Sequence, residues 1–174
     1  MGVILLQPTE KLSEIIGICK SSSGVCGKRL RDAHMTAGRL LGERIAADGR
    51  ALNYAVVIAM RAGLPFGLGI ADALEEDGNV RIFFSTKEKP VPENLNVDSF
   101  GKIIIADAVI RTGNDMISLA DKFSAPDKII YATNVIDASG IPNFEGKTVY
   151  AVRSSQNSFV GSEQKFVGGG KGPD

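Results

Sequence analysis

The stretch Lys102-Ile-Ile-Ile-Ala-Asp-Ala-Val-Ile-Arg-Thr-Gly-Asn-Asp115 decides how this chain folds. Its apolar run predicts a buried strand from Ile103 to Asp107, which delivers a single carboxylate to the C-terminal end of the strand. The Thr-Gly pair then predicts a turn into a helix over about residues 116–123. Ligands bind at the carboxyl edge of open α/β sheets, and a helix N-terminus after glycine presents unpaired N–H groups to anions. The segment therefore combines an acid that can accept hydrogen bonds from sugar hydroxyls with N–H groups that can bind an anion. This combination indicates a ribose-phosphate site.

Strands and helices alternate on both sides of this stretch. Apolar runs predict further strands over 55–59, 80–84, 128–133 and 148–152. Apolar periodicity and capping residues predict helices over 33–47 and 65–74, a weak helical turn over 136–141 and a short helix or strand over 12–18. The alternation predicts an α/β fold with a mostly parallel central sheet and helices on both faces. We expect residues 1–174 to form a single domain, with a mobile loop at about 85–99.

Composition narrows the class of protein. Apolar residues make up 44% of the chain and charged residues 23%, which is ordinary for a soluble globular protein. Lysine plus arginine equals aspartate plus glutamate at 20 each, so net charge gives no support for nonspecific nucleic-acid binding. No apolar run approaches the length of a membrane span, and no basic region precedes the apolar residues of the N-terminus. We interpret Cys19 and Cys26 as reduced thiols and expect a cytoplasmic protein without membrane or nucleic-acid partners.

Two further segments supply groups suited to a phosphorylated ligand. Arg61 follows the strand over 55–59 at the same predicted edge as Asp107, where its planar guanidinium can bind a second phosphate. The Ala62-Gly63 pair lets the backbone approach an oxygen closely. The tail Gly168-Gly-Gly-Lys-Gly-Pro-Asp174 exposes backbone groups that can read the edge of a flat polar ring. Taken alone, each has an ordinary alternative: a surface arginine in a turn, and a chain end with no binding role.

In this order the three segments resemble a type I phosphoribosyltransferase, closest to uracil phosphoribosyltransferase. Arg61-Ala-Gly-Leu64 resembles the diphosphate loop of that family, and Asp107 to Asp115 resembles its loop for ribose and 5′-phosphate. Gly168 to Asp174 resembles its uracil-binding segment, and the whole resemblance covers about residues 29–174. Most members have two adjacent acids in the ribose loop, so Asp107 followed by Ala108 favours the uracil branch.

The resemblance implies transfer of ribose 5-phosphate from phosphoribosyl diphosphate (PRPP) to a nucleobase, with uracil as the expected acceptor, Mg²⁺ as cofactor and a homo-oligomeric assembly. It implies catalytic roles for Asp107 and Arg61 and no metal ligand from the protein. The implied PRPP-binding residues are Arg61, Ala62, Gly63, Asp107, Arg111, Thr112, Gly113, Asn114 and Asp115. The implied base-binding residues are Gly168, Gly169, Gly170, Lys171 and Gly172.

Several positions depart from the family pattern and keep other functions open. Asn114 and Asp115 replace glycine and serine in the loop for ribose and 5′-phosphate, and Lys171 replaces an acid in the tail. The loop at about 85–99 offers Lys87 and Lys89 where the family has arginine. A non-catalytic nucleotide sensor on the same fold is therefore the main alternative. An unrelated doubly wound domain, such as a flavodoxin-like module, is a third.

Overall fold

The computed structural model describes residues 2–92 and 94–156 and contains one six-stranded sheet, all of whose strands run parallel. The strand order is β1-β6-β5-β4-β2-β3, which places β4 near the middle of the sheet. The strands are β1 (Val3–Leu5), β2 (Asn53–Ala59), β3 (Asn79–Ser85), β4 (Lys102–Ile110), β5 (Ile129–Asp137) and β6 (Val149–Ser155). The helices are α1 (Glu10–Cys19), α2 (Gly27–Asp48), α3 (Leu64–Leu74) and α4 (Asn114–Ala120).

The helices cover both faces of the sheet, as the sequence predicts. On β4, Ile104 and Ala106 pack in one hydrophobic cluster with α1, α2 and α3. Ile103 and Ile105 point to the opposite face and pack in a second cluster with α4. Successive side chains of a strand alternate between faces, so one apolar run supplies both layers of the core.

Close packing between α2 and α3 positions the segment that precedes α3. A Cβ atom on Gly38 would lie 2.0 Å from the carbonyl oxygen of Phe66, and one on Gly69 would lie 2.0 Å from that of Met35. The two helix backbones can approach this closely only because these positions have no side chain. This contact holds α3 against α2 and helps to position the turn between β2 and Leu64.

The predicted fold class is confirmed, and several boundaries differ from those predicted. The structure adds β1, shows that residues 10–19 are helical, and begins α2 at Gly27 rather than after Asp32. β4 continues to Ile110, so Asp107 lies inside the strand and not at its end. β5 continues to Asp137, and residues 138–144 form a 3-10 helix in place of the predicted turn at 136–141. Strand pairing with β5 explains the longer β4, because Val109 and Ile110 pair with Val135 and Ile136.

Neither cysteine forms a disulfide; Cys19 is buried and Cys26 is exposed. Cys19 lies next to the side chain of Asn134, and burial raises the pKa of its thiol. Among the helices of the described residues, none combines the length and apolar character needed to cross a bilayer.

Candidate functional site

The loop between β2 and α3, residues 60–63, contacts β4 directly. A Cβ atom on Gly63 would lie 3.0 Å from the carbonyl oxygen of Ala106 and 3.1 Å from the Cα atom of Asp107. Gly63 is buried, whereas Arg61 and Ala62 are exposed beside it. The peptide bond between Met60 and Arg61 is cis. The structure thus brings the loop with Arg61 against the backbone of Asp107, as the order of the motifs predicts.

Asp107 is a half-buried carboxyl group in the carboxyl half of β4. Its Oδ1 atom accepts a hydrogen bond from the backbone N–H of Ala108 at 2.7 Å. Burial is the main cause that raises its pKa from 3.8 to about 6, and the negative charge of Asp115 adds to the rise. Hydrogen bonds from the backbone of Ala108 and Val109 oppose it. The group is therefore mostly ionised at pH 7. Burial of this charge destabilises the folded state unless a ligand compensates it.

The segment Arg111–Asp115 forms the turn from β4 into α4. Gly113 has φ of 78°, in the left-handed region that favours glycine, and it occupies the N-cap position. The side chain of Asp115 therefore does not cap the helix; it lies in the first turn. Thr112 accepts a weak hydrogen bond on its Oγ1 atom from the backbone N–H of Asn114, at 3.5 Å. Arg111, Thr112, Asn114 and Asp115 are all exposed.

The 3-10 helix over residues 138–144 supports this turn from behind. A Cβ atom on Gly140 would lie 1.9 Å from the carbonyl oxygen of Arg111, and one on Gly113 would lie 2.1 Å from the ring of Phe144. The side chain of Asn143 donates a hydrogen bond to the carbonyl oxygen of Thr112 at 3.0 Å. The helical turn predicted over 136–141 overlaps this 3-10 helix. Its contact with the 111–115 turn was not predicted, because no local pattern links two segments so far apart in the chain.

A second loop, following β3, lies close to Arg61. The backbone N–H of Met60 donates to the carbonyl oxygen of Ser85 at 2.8 Å, which ties the ends of β2 and β3 together. Residues 86–89 form a tight turn in which the N–H of Thr86 donates to the carbonyl oxygen of Lys89 at 3.1 Å. Local hydrogen bonds lower the pKa of Glu88, and the charges of Lys87 and Arg61 contribute. Glu88 is thus an acid within electrostatic range of Arg61 that the sequence did not single out.

The structure therefore brings Arg61, Ala62, Gly63 and the 107–115 segment together at one edge of the sheet. Gly168, Gly169, Gly170, Lys171 and Gly172 lie outside the described residues. Within the described ranges, no group of three or more histidine, cysteine, aspartate or glutamate side chains is placed to hold a metal ion. The half-buried carboxylate of Asp107 thus lies between two loops with exposed residues, 60–63 and 111–115.

No protein-family model and no curated protein matches the chain. Solved structures match in fold, among them the AQ2163 protein from Aquifex aeolicus, with 13% identity and a TM-score of 0.69 over 90% of this chain and 91% of that one. An orotate phosphoribosyltransferase from Mycobacterium tuberculosis, in complex with PRPP, matches with 16% identity and a TM-score of 0.57 over 85% and 91%. A hypoxanthine-guanine phosphoribosyltransferase from Bacillus anthracis matches with 17% identity and a TM-score of 0.53 over 74% and 81%. The chain has the α/β fold of these phosphoribosyltransferases.

Proposed function

We propose that the chain is a phosphoribosyltransferase that moves ribose 5-phosphate from PRPP to a nucleobase, with uracil as the acceptor. The supporting observation is the contact of Gly63 with the backbone of Ala106 and Asp107. In support of the proposal, the arginine loop lies against the strand that carries the half-buried carboxylate, and the glycine turn follows on from that strand. PRPP has the matching order of diphosphate, ribose hydroxyls and 5′-phosphate.

In the proposed reaction N1 of uracil forms a bond to C1′ of the ribose, and the bond from C1′ to the diphosphate oxygen breaks. The electron pair leaves with diphosphate, and N1 loses its proton to solvent or to diphosphate. Positive charge develops at C1′, so the protein accelerates the reaction by positioning its partners and stabilising charge. Asp107, ionised above pH 6, accepts hydrogen bonds from the ribose hydroxyls. Arg61 binds the diphosphate that departs, and residues 111–115 bind the 5′-phosphate.

The donor set fits Mg²⁺ that arrives with its substrate. Mg²⁺ keeps several waters and is commonly held by one or two carboxylates together with substrate phosphates. In this proposal Asp107 would be the carboxylate that holds the ion, and the described residues provide no larger cluster of metal ligands. When bound, the ion would neutralise part of the charge on the departing diphosphate.

Uracil as the acceptor rests on the single acid of the ribose loop. Asp107 is followed by Ala108, a small buried residue, and not by a second acid. The base-reading role of Gly168–Gly172 stays a prediction that rests on the resemblance alone. A panel of bases is therefore part of the test.

The test is conversion of labelled uracil to UMP in the presence of PRPP and Mg²⁺, followed by the same assay with other pyrimidines and with purines. We expect UMP to form and the variant Asp107→Asn to slow its formation at least about 100-fold, since a positioned charge at the reacting centre is worth several kcal/mol. The matched control is Glu75→Gln, which removes an exposed charge at the C-cap of α3. Absence of any nucleotide product with every base would refute the proposal.

A non-catalytic nucleotide sensor is the second candidate, and the position of Asp115 favours it. The charge of Asp115 raises the pKa of Asp107 and lies in the loop that would receive a phosphate. A sensor would bind UMP or a related nucleotide without turnover. Release of labelled diphosphate from PRPP with any nucleobase would reject the sensor, whereas tight UMP binding without release would support it.

A further inference from the structure

A cavity lies where α4 ends, beside the amino-terminal halves of β5 and β6. Its volume is about 520 Å³, within the range of pockets that hold small molecules. Ala120, Phe123 and Ile129 provide an apolar wall. The full length of α4, from Asn114 to Ala120, separates this cavity from the turn at Gly113. The cavity is therefore distinct from the site formed by Arg61 and Asp107.

The charges around the cavity are predominantly negative. Asp121, Asp127 and Glu145 line it, with Lys147 as the lining cation. Within residues 2–92 and 94–156, none of these three carboxylates forms an ion pair. Asp121 is also the C-cap residue of α4, and the last turn of that helix has no basic residue. Helix C-termini favour cations, so an acid here adds negative charge to the negative end of the helix dipole.

The hydroxyl group of a tyrosine whose side chain is almost fully buried provides independent evidence for a ligand. Tyr131 is only 3% exposed, lines the cavity, and has its ring fixed by an edge-to-face contact with Phe144 at 5.1 Å between ring centroids. In the described part of the chain, no side chain or backbone group is hydrogen-bonded to its hydroxyl oxygen. Burial raises the pKa of Tyr131 to about 12, and the charge of Asp121 adds to the rise. Polar atoms of buried side chains normally have a partner, and Tyr131 lines a space that a ligand can enter.

We propose that this cavity binds a small organic cation, an aliphatic amine whose ammonium groups meet the surrounding carboxylates and whose methylene chain packs against Phe123. The Tyr131 oxygen accepts a hydrogen bond from one ammonium group. An apolar wall and a volume of about 520 Å³ suit an extended amine better than a bare metal ion. The carboxylates also favour an organic cation over a metal ion, because within the described residues they do not form a group placed to hold a metal.

The test is titration of the full chain with spermidine, observed by NMR of labelled tyrosine rings. The chain has only three tyrosines, so Tyr131 can be distinguished from Tyr54 and Tyr150. We expect the Tyr131 resonance to shift saturably while the other two stay in place. A Tyr131 resonance that does not move up to about 10 mM spermidine would overturn the proposal, because weaker binding than that is not specific recognition.

Variants separate this site from general attraction of a cation to the protein surface. Asp121→Asn and Glu145→Gln should each weaken binding at least about fivefold, and salt should weaken it further. Tyr131→Phe keeps the ring and should weaken binding by a smaller factor, which is measured by thermal shift with spermidine. Glu75→Gln removes an exposed acid on the opposite face and should leave the affinity unchanged. Equal weakening by Glu75→Gln, or none by Asp121→Asn and Glu145→Gln, would contradict the proposal.

Discussion

Replacing Asp107 by asparagine should make the protein more stable and less able to bind its substrate. The folded state raises the pKa of this carboxyl from 3.8 to about 6, chiefly through burial. Relative to the unfolded chain, its contribution to stability is fully present below pH 3.8 and is lost as pH rises through about 6. Two pKa units correspond to about 3 kcal/mol. Because Asp107 is only half-buried, solvent reduces the expected gain of the variant to about 1–3 kcal/mol at pH 8.

Urea denaturation of wild type and Asp107→Asn at pH 8 and pH 5 measures this difference. The amide oxygen of asparagine can still accept the hydrogen bond from Ala108, so the variant removes the charge and little else. We expect the variant to be more stable at pH 8 and the gap to narrow at pH 5. Glu75→Gln, which removes an exposed carboxylate from another part of the surface, is the matched control. An equal or lower stability of Asp107→Asn at pH 8 would refute the reasoning.

Three further predictions follow from the loops around Asp107. Gly63→Ala should lower the free energy of unfolding by about 1–3 kcal/mol and weaken PRPP binding, because its Cβ atom would press on backbone at 2.7 Å; unchanged thermal unfolding would contradict this. Gly113→Ala should cost more stability than Gly146→Ala, since both have positive φ but only the former meets an aromatic ring at 2.1 Å. Equal urea midpoints for these two variants would count against the described packing. Asp115→Asn should lower the pKa of Asp107 towards 3.8 and strengthen PRPP binding, which NMR titration of the carboxyl carbons and calorimetry can check; an unaltered titration would exclude the coupling.

Local sequence signals predicted those elements whose formation depends on apolar patterning. The isoleucine run of β4 and the proline at the start of α3 were sufficient to predict both elements. They also gave the order in which the motifs follow one another along the chain. The position of Asp107 inside the strand was not predictable in this way, because β4 is extended by its pairing with β5. Strand pairing is a long-range interaction that a single sequence does not display.

The loops of the candidate site were predictable from the sequence, but the contacts that support them were not. Arg61, Asp107 and Gly113 were identified from the order and type of their residues. Phe144 and Asn143 support the turn at Gly113 from a segment about 30 residues away, and no pattern in the chain connects the two. Close contacts of this kind follow from the folded backbone, which places a 3-10 helix behind the loop.

Calorimetric titration of the protein with PRPP in the presence of Mg²⁺ tests most directly whether the Arg61 loop, Asp107 and residues 111–115 form one site. We predict saturable binding with a dissociation constant of about 1–100 μM, corresponding to roughly 5–8 kcal/mol, for a ligand held at both ends. The folded variant Asp107→Asn should bind at least about tenfold more weakly. No detectable heat at millimolar PRPP, or equal affinity for wild type and Asp107→Asn, would contradict the account.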